Sequence, residues 1–439
     1  MTSIAQPATG IVQPPRRTYE IVMAGMKRRR AAEWRFRLYG KLAIGFGLAV
    51  LVVLFTSILA NGYTAFWQTQ IRLDVALDAA EIDPQGTRSR EVLGKVDYLA
   101  LIRADLRKMF PDVSGRRDRL ALYGLVSNGA AFDLRDKVLA DPDLIGKTVS
   151  LWVAADDDVD MLMKGHIDRS GMAVERRVSD DQLRWIDKLA AEGRLEQRFN
   201  FDFFTRGDSR DAELAGIWGA AVGSFYTLLV TLVLSFPLGV AAAVYLEEFA
   251  PRNRWTDLIE VNINNLAAVP AIVFGLLGLA VFINFFGLPR SAPLVGGLVL
   301  TLMTLPTIII ASRAALKSVP PSIREGALGI GASPMQSMMY HVVPLALPGM
   351  LTGTIIGMAQ ALGETAPLLM IGMVAFIADI PQGIFDPSTA LPVQIYLWAD
   401  SPERAFVERT SAAIIVLLAF LAVMNAIAVV LRRRFERRW

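Results

Sequence analysis

The stretch RAALKSVPPSIREGALGIGASPMQSMMYHVVPLALPG, residues 313–349, is a polar, turn-rich interruption between two long apolar segments. Its first half predicts a short helix, because Ser322 and Glu325 have the spacing of a capping box. Gly331 follows shortly afterwards and is expected to break that helix. A helix of this length cannot cross a bilayer.

The second half of the stretch predicts another short helix. Ser333 and Gln336 again have capping-box spacing, and Pro334 occupies the first helical position, which proline favours. Pro344 and Pro348 are expected to end the element. The whole stretch therefore predicts two short helices held on a membrane surface between two spans, where a partner protein can bind them.

The stretch also contains a spaced motif: Glu325-Gly326-Ala327, then Gly331, then His341-Val342-Val343-Pro344. This pattern resembles the EAA loop of ABC-importer permeases, the coupling helix that sits in a groove of the ATPase. It departs from the usual pattern at Gly326, His341 and Val343, although the spacing is intact. The resemblance implies ATPase-coupling roles for Glu325, Gly326, Ala327, Gly331 and Pro344. The alternative is a generic amphipathic loop that only connects two spans.

Composition indicates a chain that is partly embedded in a membrane and partly soluble. Of its 439 residues 53% are hydrophobic and only 20% are charged, and several apolar runs exceed the roughly 18 residues that a spanning helix needs. There are no cysteines, which excludes disulfides, thiol nucleophiles and thiolate metal sites. The two histidines, His166 and His341, are too far apart in sequence to suggest a multi-histidine metal site.

Six apolar segments predict six membrane-spanning helices, at residues 42–61, 217–244, 259–286, 294–312, 349–376 and 412–431. Basic residues flank the first and last spans, which places both termini in the cytoplasm by the positive-inside rule. A nucleic-acid site is the alternative for the N-terminal basic run, and the topological interpretation is favoured. The predicted organisation is a basic tail at 1–40, the first helix at 41–67, an extracytoplasmic domain at 68–212, a five-helix permease domain at 213–431 and a basic tail at 432–439.

The predicted extracytoplasmic domain is expected to be mixed α/β. Ser179 and Gln182 form a capping box that predicts a helix to about residue 191, and another helix is predicted over 91–109. Strands are predicted at 148–154 and 171–178. Gly146-Lys147-Thr148 resembles the end of a phosphate-binding loop but lacks its first glycine, and Asp156-Asp157-Asp158 is interpreted as a solvated turn rather than a calcium site.

Two further strings resemble one branch of the permeases. NLAAVPAIVFG at residues 265–275 resembles the NLAGVPSIV(F/Y)G motif of phosphate permeases, with Ala271 in place of the common serine. GETAP at residues 363–367 resembles the signature of PstA-type phosphate permeases. Many relatives carry arginine where this chain has Gln360, so the position of the cationic phosphate contact is left open.

Glu364 is the sharpest site candidate, because the sequence places it in the middle of an apolar helix. An ionisable group at that depth is costly and normally faces a cavity or a partner. Glu364 could accept a proton from a partly protonated phosphate, pair with an arginine, or act only as an interhelical lock. Thr365, Gln360 and Asn265 are further candidates for the translocation pathway. Arg313 is a candidate cation, and a positive-inside anchor is its favoured alternative.

The resemblance implies an all-α polytopic membrane protein with a type I ABC-importer (MetI-like) core, one additional N-terminal helix and the mixed α/β extracytoplasmic domain. It implies a multi-pass inner-membrane permease for phosphate that works by alternating access. The implied partners are a second permease, a pair of ATPase subunits, a periplasmic phosphate-binding protein and membrane lipid, with no nucleic acid. No cofactor is expected in this chain, since ATP and magnesium would be bound by the ATPase.

Two other functions stay open. The same architecture could carry another oxyanion or solute. The chain could instead be a membrane sensor whose outer domain binds a ligand, although we identify no cytoplasmic output domain. An intramembrane enzyme is disfavoured, because the spans contain no paired carboxylates, metal-binding HExxH helix or Ser/His pair.

Overall fold

The computed structural model describes residues 16–171 and 176–435. Its contacts divide the chain into two compact units, one up to Ile58 and one from Leu59 onward. Helix α1, Arg16–Gly62, begins inside the predicted N-terminal tail, so the basic run of that tail is helical. The first fifteen residues, with Pro7, Pro14 and Pro15, and the arginines at 437 and 438 lie outside the described residues.

A three-stranded antiparallel sheet follows α1. It consists of β1 (Trp67–Ala76), flanked by β2 (Thr148–Ala154) and β3 (Leu195–Phe199). Alternate residues of β1, namely Ile71, Leu73 and Val75, are fully buried, as expected where one face of a strand packs on a core. The predicted strand 148–154 is confirmed, whereas β1 and β3 were not predicted.

Short helices surround the sheet, and together with it they form what we call the sheet domain, residues 67–205. They are α2 (Ala79–Ile82), α3 (Arg90–Leu93), α4 (Tyr98–Met109), α5 (Arg116–Tyr123), α6 (Ala130–Ala140), α7 (Asp157–Met163), α8 (Asp180–Ala191) and α9 (Phe201–Thr205). Both halves of the predicted Ser179–Gln182 capping box are present. The helix predicted over 91–109 is interrupted, because Asp97 caps a new helix by accepting a hydrogen bond from the Ala100 N–H. Half of the strand predicted at 171–178 falls on residues 172–175, outside the described residues, and the other four residues are not in a strand.

The rest of the chain is helical. Its helices are α10 (Trp218–Val244), α11 (Arg254–Leu266), α12 (Ala271–Gly278), α13 (Pro293–Lys317), α14 (Pro321–Gly329), α15 (Pro334–Ser337), α16 (Val343–Gly363), α17 (Ala366–Met370), α18 (Leu391–Ala399) and α19 (Ala405–Phe435). In the described part of the chain, five helical stretches are long and apolar enough to cross a membrane: Met23–Phe66, Trp218–Phe249, Pro293–Lys317, Pro334–Gly363 and Ala405–Arg434. A bent pair, Arg254–Leu266 with Ala271–Phe285, brings the number to six if it is counted as one span.

The third span predicted at 259–286 is broken in the structure and not continuous. Helices α11 and α12 meet at a bend of 102°. Pro270 causes the break, because proline lacks an N–H and disfavours helical geometry at Val269 before it. Pro270 instead takes an extended conformation and precedes the first residue of α12. The amphipathic α11 is thereby turned away from the apolar α12.

Small residues set the close packing of the membrane helices. A Cβ added to Gly353 on α16 would lie 2.2 Å from the Ala311 side chain of α13, and one added to Gly349 would lie 2.7 Å from Ala315. Gly357 also faces α13, as expected where small residues let two membrane helices approach closely. Gly363 faces open space.

Candidate functional site

The first half of the 313–349 stretch forms the nine-residue helix α14. The predicted capping role of Ser322 is wrong. Pro320 is the N-cap residue, without a side-chain hydrogen bond, and Pro321 takes the first helical position. Proline suits that position, since its φ is preset and its missing N–H would have had no partner there.

Gly331 ends α14 in a Schellman motif. Its φ is +92°, a left-handed conformation that glycine adopts without steric cost. The Gly331 N–H donates to the Leu328 carbonyl at 3.0 Å, and the Ala332 N–H donates to the Ala327 carbonyl at 3.1 Å. The sequence motif thus places Gly331 where the backbone reverses between α14 and α15.

The second half of the stretch begins as predicted and ends differently. Ser333 and Gln336 form both hydrogen bonds of a capping box at the start of α15. Pro344 and Pro348 do not end the element, because the helix continues through a π-helical turn at Met338–Val342 into α16. Such a turn can absorb the hydrogen bond that Pro344 cannot donate.

The motif that begins with Glu325-Gly326-Ala327 is mostly exposed. Glu325 and Gly326 face solvent, whereas Ala327 is buried. Two large apolar side chains near the motif are also exposed, Ile330 by 84% and Tyr340 by 75%. An exposed apolar surface beside a well-formed turn is typical of a protein-binding site.

An ionic cluster ties this stretch to the neighbouring helices. The Arg313 cluster, as we call it, consists of Arg313, Lys317, Arg324, Glu247, Glu248 and Glu260. Arg313 donates to Glu260 at 2.7 Å and to Glu247 at 3.3 Å, so both carboxylates neutralise this candidate cation. The residues of these pairs are 53 and 66 positions apart, and no local spacing could have revealed them.

Arg324 is the member of this cluster on α14 itself. It donates to Glu248 at 2.8 Å and to the carbonyls of Val319 and Leu316, both at 2.9 Å. These carbonyls lie at the end of α13, where the last turn of a helix lacks internal donors. Arg324 therefore joins α14 to the end of α13 and to the segment that follows α10.

Glu364 does not lie in the middle of a helix, contrary to the sequence prediction. Helix α16 ends at Gly363, and Glu364 has an extended backbone with ψ near 121°. Pro367 explains the break, because its ring would clash with the carbonyl of Gly363 four residues earlier. Glu364 is half-buried, and within the described residues its carboxylate makes no ion pair or hydrogen bond.

The structure brings two of the quoted motifs together. A Cβ on Gly275, the last residue of NLAAVPAIVFG, would lie 2.7 Å from the Cα of Pro367 in GETAP. Helix α12 therefore packs directly on α17, beside Glu364. Thr365 is half-buried in the same break, and Gln360 is exposed one turn earlier on α16. Asn265 is the first residue of the string that ends at Gly275. It is exposed near the end of α11, on the other side of the bend from that contact.

A second ionic cluster joins the sheet domain to α19. We call it the Lys164 cluster, and it consists of Lys164, Asp160, Glu408, Arg409 and Glu213. Lys164 contacts Asp160 at 2.7 Å and Glu408 at 3.0 Å, and all three side chains are at least 94% buried. The Arg409 guanidinium lies over the Phe203 ring, 5.5 Å from its centre. The sequence analysis identified none of these contacts.

Carboxyl groups beside this cluster titrate abnormally. Burial raises the pKa of Glu213 to about 7, although a hydrogen bond from the Ser127 hydroxyl at 2.6 Å opposes the shift. Burial, together with Asp157 and Glu213, raises the pKa of Asp156 to about 8. Asp156 accepts a hydrogen bond from the Asp158 N–H as the N-cap of α7, so the aspartate run starts a helix and is not a solvated turn.

Comparison with known proteins identifies two regions. Residues 235–439 match the family described as "Binding-protein-dependent transport system inner membrane component". Residues 23–173, which include the first part of the sheet domain, match a domain of unknown function, DUF3333. The two matches divide the chain into a permease region and a region whose role is not known from its family.

Curated relatives match the permease region. The "Probable ABC transporter permease protein YqgI" of Bacillus subtilis is 33% identical over 45% of this chain and 71% of its own length. The "Phosphate transport system permease protein PstA 1" of Mycobacterium tuberculosis is 32% identical over 51% of this chain and 72% of its own length. A solved structure of the MetNI methionine ABC transporter matches 50% of this chain and 98% of its own at 19% identity, with a TM-score of 0.41, too low to support an argument.

Proposed function

The chain belongs to the family of binding-protein-dependent inner membrane permeases, and on that premise we propose that it is the PstA-type permease subunit of an ATP-driven phosphate importer. One observation supports phosphate as the solute, in addition to membership of the family. The phosphate-permease strings NLAAVPAIVFG and GETAP, far apart in sequence, pack on each other at Gly275 and Pro367. Both strings therefore belong to one site, and Glu364 lies at its edge.

We place ATP hydrolysis on a partner and the α14–α15 turn in a groove of that ATPase. The turn has the properties of such a contact, because Ile330 and Tyr340 are exposed and Gly331 fixes the reversal. Arg324 would transmit movement of α14 to α13 and α10. The basic residues near both ends of the chain favour a cytoplasmic position for the termini and for this turn. ATP and magnesium belong to the partner in this proposal.

A second permease would cover α11 and α12. None of the residues of α11 is buried, although Trp255, Leu258 and Val261 are large and apolar. Such a helix needs either lipid or a partner. Two permeases meeting here would enclose the translocation pathway, and a periplasmic binding protein would deliver phosphate to it.

Glu364 would act where the two permeases enclose that pathway. A carboxylate without a partner among the described residues of its own chain can accept a proton from a partly protonated phosphate or pair with an arginine of the second permease. Gln360 can donate only a neutral hydrogen bond, so the cationic phosphate contact would come from elsewhere. Thr365 would supply a hydroxyl beside Glu364, and Asn265 is the least connected of the candidates.

The decisive experiment is uptake of labelled phosphate in cells that lack this chain, with and without a restored copy, and with labelled sulfate as the control. We expect loss and rescue for phosphate alone. Normal phosphate uptake in the deletion strain, with no redundant system active, would refute the phosphate assignment. Loss of sulfate uptake instead would indicate the same architecture with another oxyanion.

The site is tested by Glu364→Gln. We expect phosphate uptake to fall at least tenfold while the variant still co-purifies with its partner subunits, because the substitution removes a charge and keeps the shape. Thr352→Ser, a conservative change on the preceding helix α16, is the matched control and should retain uptake. A Glu364→Gln complex that dissociates on extraction would identify Glu364 as a structural lock.

A further inference from the structure

Three aromatic side chains form an exposed patch at one end of the sheet. Trp67 and Phe199 are paired across β1 and β3, with ring centres 6.0 Å apart, and Phe201 follows at 4.9 Å from Phe199. Their exposed fractions are 47%, 39% and 69%. We call these three residues the aromatic patch. Three adjacent exposed rings are unusual for a surface that faces only water.

The patch lies at the ends of the membrane helices. Its first residue, Trp67, directly follows the candidate span that ends at Phe66. A Cβ on Gly62 would lie 2.8 Å from the backbone of Ala412, where the apolar part of α19 begins. Ile217, next to the start of α10, donates its N–H to the Phe203 carbonyl at 2.8 Å. The ends of three candidate spans therefore surround the segment that bears Phe199 and Phe201.

Packing behind the patch fixes its orientation. Phe203 is fully buried and contacts the Phe204 ring at 5.1 Å, and Phe204 stacks on Phe66 at 5.5 Å. Asn200 is buried, where its side chain accepts from the Phe203 N–H and donates to the Ala65 carbonyl. These contacts hold α9 against the 3-10 turn Tyr63–Phe66 that follows α1, so Phe201 cannot turn inward without breaking a packed core.

Polar groups lie next to the rings. A cavity of about 270 Å³ opens beside Phe199 and Phe201 and is also lined by Trp152, Asp202 and Arg206. Arg198 lies over the Trp152 ring, 4.4 Å from its centre, and is partly exposed. Aromatic rings with arginine and carboxylate groups beside them match the layer of a bilayer in which acyl chains meet charged headgroups.

We propose that the aromatic patch inserts into the lipid surface of the membrane, so that the sheet domain lies on the bilayer. This goes beyond transport, and it rests on the helices crossing a membrane and not on the identity of the solute. The sheet domain then has one end fixed by lipid and by the Lys164 cluster. Its opposite end, where the Asp74 N–H of β1 donates to the Asp105 carboxylate of α4, is about 23 Å further along the strand.

The absence of cysteine from the chain makes the test direct. A spin label is attached to Phe201→Cys in the full chain, reconstituted into bilayers of phosphatidylethanolamine and phosphatidylglycerol. Leu120→Cys is the matched control, because Leu120 is 62% exposed and lies on α5, which packs on α4. Collisions of each label with oxygen, which concentrates in lipid, and with a water-soluble nickel complex are measured by power saturation.

We expect oxygen to be favoured over nickel at residue 201 and nickel to be favoured at residue 120. Equal nickel access at both positions would overturn the proposal. Protection of residue 201 from both reagents would also overturn it, because the cover would then be protein, either a second copy or a partner. If Phe201→Cys does not fold, the label is placed at Phe199→Cys with the same expectations.

Discussion

The Lys164 cluster and the Arg313 cluster are built from the same residue types in different surroundings. Lys164 and its two carboxylate partners are at most 6% exposed. In the Arg313 cluster the side chains are 18–59% exposed, and Arg313 binds carboxylates of two different elements, the segment after α10 and α11. The first cluster joins the sheet domain to α19, and the second joins the proposed coupling turn to the membrane helices.

This difference in burial suits the two clusters to different structural roles. Charges removed from water interact strongly, and a partner left alone is penalised heavily. Charged side chains that remain hydrated can exchange ion-pair partners at little cost in free energy. The Lys164 cluster therefore suits a fixed joint, and the Arg313 cluster suits a joint that must rearrange during each transport cycle.

The largest effect is expected for Lys164→Ala. Removing this cation leaves Asp160 and Glu408 as adjacent buried carboxylates, which should lower the free energy of unfolding by about 3–5 kcal/mol. The measurement is thermal unfolding of the purified full chain in detergent. Lys95→Ala is the control, because Lys95 pairs with Glu91 at an exposed site. Equal effects of the two substitutions would show that the Lys164 cluster is not a fixed joint.

A smaller effect is expected from pH at Glu213. Its pKa is about 7 in the folded chain and about 4.5 when unfolded, so the unfolded chain loses its proton first. The free energy of unfolding should then fall as pH rises from about 4.5 to 7, by about 3 kcal/mol at most. Asp156, with its raised pKa, acts in the same direction up to about pH 8.

Glu213→Gln isolates this contribution, since the amide keeps an acceptor for Ser127 and cannot ionise. Relative to the natural chain, the variant should unfold at the same temperature near pH 4.5 and at a higher temperature near pH 8. Unfolding temperatures are measured across that range. An unchanged pH profile in the variant would assign the pH dependence to other groups.

The smallest effect on stability is expected for Arg324→Ala in the Arg313 cluster. Loss of partly exposed bonds to Glu248 and the end of α13 should cost about 1–2 kcal/mol. Transport should fall at least tenfold, because the hydrogen bonds of Arg324 no longer hold α14 against the end of α13. Arg252→Ala, at an exposed arginine on the same segment as Glu248, is the control for both readouts. Full transport by the Arg324→Ala variant would show that the Arg313 cluster does not transmit movement of α14 to the membrane helices.

Features that depend on neighbouring residues were predictable. The capping boxes at Ser179 and Ser333 and the strand at 148–154 follow from residues within a few positions of each other, and the structure contains all three. The capping box predicted at Ser322 is absent, because two prolines before it offered a better helix start. Local sequence patterns therefore predicted an element correctly where only one such pattern applied to the segment.

The candidate site was predicted in its residues and not in its geometry. Glu364 was identified from its charge within an apolar run, but Pro367 moved it from a helix interior to a helix break. Pro270 likewise divided a predicted span into α11 and α12. Both prolines were visible in sequence, and only the surrounding packing determined whether each one would end its helix, since Pro344 and Pro348 did not.

The sequence by itself determined the family, the membrane segments and the coupling motif, because hydropathy, caps and motif spacing depend on short stretches of chain. The tertiary structure alone decided which charges pair and which motifs meet. Lys164 and Glu408 are 244 residues apart, and Gly275 and Pro367 come together only through the packing of α12 on α17. Such contacts depend on how all the helices fill space together, and no local pattern records that.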